Sequence, residues 1–174
     1  MLKKPLVAII LCAMIVLSST VISTHARLDP WCEDIADIFT VAGGIADQLD
    51  AVCAASSGII RVAEAYGIDC LETQDLCEAL RLSTHRNSPH SLFPMYQMLC
   101  GKVGDLTNSL KLKELSAQDA ATLSAMNDEL TAARSAISES GYNNAVSFFL
   151  RQELGGFSRG FAKLCGVNLP EQFA

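Results

Sequence analysis

Cysteine is the residue type in this chain best equipped for chemistry. Cys12 lies inside an apolar N-terminal run, while Cys32, Cys53, Cys70, Cys77, Cys100 and Cys165 lie beyond it. An even set in an exported chain reads as three disulfides. The spacings contain no Cys-x-x-Cys and no neighbouring histidine pair, so zinc is disfavoured. Six cysteines allow fifteen pairings, and sequence cannot choose among them. Spacing leans toward Cys70 with Cys77, Cys53 with Cys100, and Cys32 with Cys165.

A second group is His85, His90, Met95 and Met98. Imidazole and thioether together suit copper. The competing reading is a polar exposed loop whose two methionines turn into the next helix as core filler. A third group is aromatic: five of the seven phenylalanines fall in the last 27 residues. Phe149, Phe157 and Phe161 there could line a groove for an apolar ligand, or simply form a bulky core sector. Gly43-Gly44 and Gly101/Gly104 would allow close helix approach or leave room for such a ligand. Glu33, Asp34 and Asp37 are explained by the positive end of a helix. No Gly-x-Ser-x-Gly, no strand-preceded glycine loop and no Glu-x-x-His occurs, so no catalytic set and no cofactor is expected.

The N-terminus carries an address. Lys3 and Lys4 precede an apolar run from Pro5 to Val21, and Thr24 and Ala26 supply small residues for cleavage. This is the layout of a secretory signal peptide over residues 1–26, with a cut after Ser23 as the near alternative. An uncleaved anchor is the other option, though Ser18, Ser19 and Thr20 weaken it. Removing 1–26 leaves 11 basic against 19 acidic residues, a net charge of −8. That balance disfavours nucleic acid and anionic membrane surfaces, which need clustered Lys and Arg. The remainder, 27–174, fits one domain.

Apolar spacing says how these residues are positioned. Ile35, Ile38, Ala42, Ile45, Leu49 and Val52 alternate steps of three and four, and the phase runs on through Ser56 to Ile59 and Ala63. Similar runs are Tyr96 to Leu110, Leu123 to Ile137, and Val146 to Leu164. Such stripes make helices packed at shallow angles. Asp29-Pro30 marks a start, Gly67 an end, Thr73 a short helix, and Ser83 to Pro94 a loop. Ser116 marks another start and Gly141 an end. Ser57-Gly58 and Gly155-Gly156 are expected weak points.

These features predict an all-α antiparallel bundle of about four long helices and one short one, stapled by disulfides and secreted or periplasmic. The expected function is non-enzymatic binding of another protein. The alternatives are a carrier of a small apolar ligand, and a copper protein or enzyme using the His85/His90 loop.

Overall fold

A computed structural model describes residues 3–154 and 156–174, with side chains described for 7–152, 154 and 159–174. It contains helices and no strand among these residues. The helices are α1 (Lys3–Thr40), α2 (Ile45–Ala65), α3 (Leu71–Ser83), α4 (Pro89–Lys111), α5 (Ala117–Glu139), α6 (Tyr142–Phe148) and α7 (Gly156–Leu164), with one π turn at Phe149–Glu153. The chain folds as two compact units, 1–36 with 146–170 and 37–145 with 171–174.

In the first unit, α1 does not begin at Pro30 as expected. It runs unbroken through that proline, whose ring removes one helical donor. Ile9, Ile15 and Ile22 are each at least 65% exposed, and this is the one described segment long and apolar enough to cross a membrane. Within this unit the buried positions of α1 are Leu28 and Ile35. His25 accompanies them: its Nε2 lies 2.9 Å from the Cys165 carbonyl and its Nδ1 3.1 Å from the Asp29 carboxylate. The last long helix expected from the run Val146 to Leu164 is divided. A π turn inserts at Phe149, and Leu154 leaves helical geometry at φ −117°, ψ 84°. Gly155 lies outside the described residues.

The second unit holds the bundle. The first predicted break, at Ser57-Gly58, is instead a continuous part of α2, and the chain turns at Val41–Gly44. Gly43 has φ +82° and donates to Asp47 Oδ2 at 2.7 Å, while a Cβ on Gly44 would meet three carbonyls of the preceding turn at 2.8 Å. The two glycines therefore serve a turn, not a ligand gap. At Gly58 a Cβ would lie 2.5 Å from Met126 Sδ, so glycine admits the methionine of α5. Gly101 and Gly104 face open space, which removes the expected close approach there.

In this unit α2 runs antiparallel to both α5 and α3. Tyr66 meets Asp119 while Gly58 meets Met126, pairing α2 with α5. Ile60 meets Cys70 while Cys53 meets Cys77, pairing α2 with α3. The predicted stripe is the core: Leu49, Val52, Ile59 and Ala63 of α2, Leu99, Val103 and Leu110 of α4, and Leu123 and Leu130 of α5 are buried. The predicted loop from Ser83 to Pro94 is shorter than expected. Ser88 sits at the N-cap position and Pro89 opens α4, as proline at a first helical position allows. His90 is therefore helical.

Candidate functional site

The residues 171–174 return to the bundle and close it. Asn143 Nδ2 donates to the Phe173 carbonyl and Asn143 Oδ1 accepts from the Phe173 N–H, both at 2.8 Å. The Tyr142 hydroxyl donates to the Glu171 carbonyl at 2.8 Å. Burial and the nearby Glu171 charge push that hydroxyl up to about 12, so it stays a donor at neutral pH. His90 Nδ1 lies 3.2 Å from the Ala174 oxygen. Held this way, the Phe173 ring is 2% exposed. Its centroid lies 5.2 Å from Phe93, 5.6 Å from Tyr96 and 6.2 Å from Phe39. Offset and edge contacts of this kind are favourable beyond the area they bury.

Beside this clamp opens a cleft of about 360 Å³, walled by Phe93, Tyr96, Phe173, Arg134, Asn143 and Asn144. Burial raises the Tyr96 hydroxyl, which sits between the Cys100 thiol and the Arg134 guanidinium. Burial raises the Cys100 thiol as well, opposed by the Arg134 charge. The cleft therefore offers aromatic faces, neutral donors and one permanent cation. It has the chemistry to seat an apolar group next to a carboxylate. Among the described residues of its wall, none pairs a nucleophile with a base.

The metal candidates are held apart. His85 Nε2 pairs with Asp50 Oδ2 at 3.2 Å, whereas His90 serves the Ala174 oxygen. Met95 is half-buried and Met98 is 55% exposed. No group of three or more His, Cys, Asp or Glu suited to a metal ion occurs among the described residues. Of the aromatic candidates, Phe149 is fully buried and Phe161 half-buried, and the side chain of Phe157 lies outside the described residues.

All seven cysteines are free thiols in this structure. Their surroundings differ from the pairings that spacing favours. Cys70 Sγ lies 3.3 Å from the Ile68 carbonyl and 3.9 Å from that of Ile60, and Cys100 lies beside Tyr96. Cys77 faces Cys53, not Cys70: Cys77 Sγ is 3.4 Å from the Cys53 carbonyl and Cys53 Sγ is 3.7 Å from the Cys77 carbonyl. The reason is the α3 stripe. Thr73, Cys77 and Leu80 are its buried positions, and the steps of four and three carry Cys77 onto α2. Cys77 also borders a second cleft, of about 320 Å³, whose wall includes Ser57, Arg61, Glu78 and Arg81.

Sequence reasoning missed Arg134 and Asn143 as site residues. Each is a single polar residue on a helix, with no motif to single it out. The crowding of phenylalanine near Phe173 was the one available signal. The chain matches no known family model, and comparison with curated proteins and with solved structures finds no significant match.

Proposed function

We propose that this is an exported, disulfide-containing helical-bundle protein, secreted or periplasmic, that acts without catalysis by binding another protein. The observation that carries the binding half is the cleft beside Phe173, whose wall combines the half-buried Phe93, the edges of the buried Tyr96 and Phe173, and Arg134. Aromatic and arginine side chains dominate the energetics of protein interfaces. The partner segment would present an apolar side chain next to a carboxylate. The export half is supported by Lys3, Lys4 and the exposed apolar face of α1. The thiols at Cys32, Cys53, Cys70, Cys77, Cys100 and Cys165 would be oxidised in that compartment.

The test is site-specific photocross-linking from Ser138, at the rim of the cleft, in the exporting cell. One discrete protein adduct is expected, lost on Arg134→Glu and retained on Arg61→Glu. An adduct indifferent to Arg134 removes the cleft as the contact. Native mass spectrometry that finds an apolar molecule carried by the protein would replace partner binding with the carrier reading.

A further inference from the structure

We propose that Cys53 and Cys77 are joined by a disulfide in the mature protein, tying α2 to α3. The geometry that carries this is reciprocal. Each sulfur lies against the other residue's backbone carbonyl, at 3.4 and 3.7 Å. Two residues that exchange such contacts across antiparallel helices face one another. The bond requires the two sulfurs to turn from those carbonyls toward each other. Cys53 and Cys77 are 2% and 5% exposed, so neither thiol has a competing surface partner. Cys70 is directed at carbonyls of its own turn and of α2, and Cys100 at Tyr96.

Access comes through the α2–α3 cleft, which Cys77 borders. The oxidant is a small or protein-borne disulfide, the class present in oxidising compartments. Cys77 gives up its proton and attacks one sulfur of that donor. The donor S–S bond breaks, and one thiol departs with the electron pair and a proton. Cys53 then gives up its proton, attacks the Cys77 sulfur of the mixed disulfide and expels the second donor thiol. The balance is two protein thiols plus one donor disulfide giving one protein disulfide plus two donor thiols. Cys77 is the better first nucleophile. Donation from the Cys53 thiol draws it below its ordinary value, helped by the Ser57 hydroxyl 3.6 Å away and the Arg81 charge, against the opposing effect of burial. The same interaction with Cys77 pushes the Cys53 thiol up.

In the cell the bond rests on the export reading, which supplies the oxidant; in vitro it does not. Two samples of the full chain separate the two ideas. One is collected after export from a secreting host. The other is purified reduced and then treated with glutathione disulfide. Free thiols are alkylated, the chain is digested without reduction, and linked peptides are read by mass spectrometry. The expected result is a peptide pair joining Cys53 to Cys77, two hydrogens lighter than the sum, in both samples. The pair in the glutathione sample alone shows that the two thiols can join but overturns the bond in the mature protein; if no chain reaches the exported fraction, export is rejected and the glutathione sample alone judges the pairing. The pair in the exported sample alone keeps both ideas. Its absence from both, or Cys53 linked to Cys100 and Cys70 to Cys77, overturns the proposal. A Tm that falls further on adding reductant to the oxidised wild type than to Cys53→Ser/Cys77→Ser would be the matching stability signature.

Discussion

The Tyr66 hydroxyl donates to Asp119 Oδ2 at 2.8 Å while accepting the Ser116 N–H at 2.8 Å. One phenol thus joins the end of α2 to the start of α5, where Ser116 and Asp119 also bond each other. Hydrogen bonds from the Ser116 hydroxyl, then from Tyr66, hold the Asp119 carboxyl below its ordinary value. A group depressed in the folded state stabilises it above the unfolded carboxylate pKa, near 4, and that contribution disappears as pH falls through the folded value. Tyr66→Phe should lower Tm by a few degrees at pH 7. In Asp119→Asn the acid limb of a Tm-versus-pH curve, between about pH 4 and 2, should flatten. An unchanged limb would mean that Asp119 is not a source of the acid sensitivity.

Glycines of α2 and α4 should respond oppositely to an added side chain. Gly101→Ala and Gly104→Ala meet nothing within 4 Å, and should stabilise by ~0.5–1 kcal/mol through helix propensity. Gly58→Leu pushes into Met126 and should cost about 1–3 kcal/mol. Met126→Ala in the same chain should recover part of that loss. Urea midpoints for the five chains decide it, and Gly58→Leu at wild-type stability would show that α2 and α5 are not in close contact there.

The segment 171–174 should act as structure and not as a loose tail. Phe173→Ala removes a ring buried among Phe39, Phe93 and Tyr96 and should cost roughly 3–5 kcal/mol. Asn143→Ala should cost less, and should speed hydrogen exchange at the Phe173 amide, which Asn143 Oδ1 otherwise accepts from. Wild-type stability in a chain shortened at Pro170 would contradict the clamp.

His25 separates the two cleavage sites. A cut after Ser23 keeps its bonds to the Cys165 carbonyl and Asp29, while a cut after Ala26 deletes them. The Cys165 carbonyl, then Asp29, raise the imidazole above its ordinary value, with desolvation opposing. A raised group stabilises fully below the unfolded pKa, near 6.5, and loses that contribution as pH rises through the folded value. The chain 24–174 should therefore lose Tm from about pH 6 upward, and the chain 27–174 should show no such step. Identical curves would leave His25 without a role in the folded protein.

The helical class and the core were readable because apolar periodicity is a one-dimensional signal. The stripes through Leu49, Val103 and Leu130 lie buried where spacing placed them. Caps with local chemistry, Ser116 with Asp119 and Gly67 at φ +70°, were also readable. What failed was any feature that depends on a distant partner. Gly58 breaks nothing because Met126 fills the space above it. Pro30 is carried within a helix that started earlier. Pro89 opens α4 inside a stretch whose polar composition resembled a loop. The site failed for the same reason. Asn143 matters because Phe173 comes to it, and Cys77 lies beside Cys53 because of how α3 lies on α2. Neither fact is present in local spacing.

The seam at Asn143 and Phe173 also gives the molecule a sense of sequence in time. Turns such as that between α2 and α3 close over a few residues, whereas the Phe173 ring must find Phe39 across most of the chain, and longer closures are entropically dearer and slower. The contact of Phe173 with Phe39 is therefore one of the costlier closures in the bundle. Because Phe173 is itself a wall of the cleft, a chain still in assembly has no such cleft to offer. On the proposed reading, recognition of a partner doubles as an inspection of the finished fold.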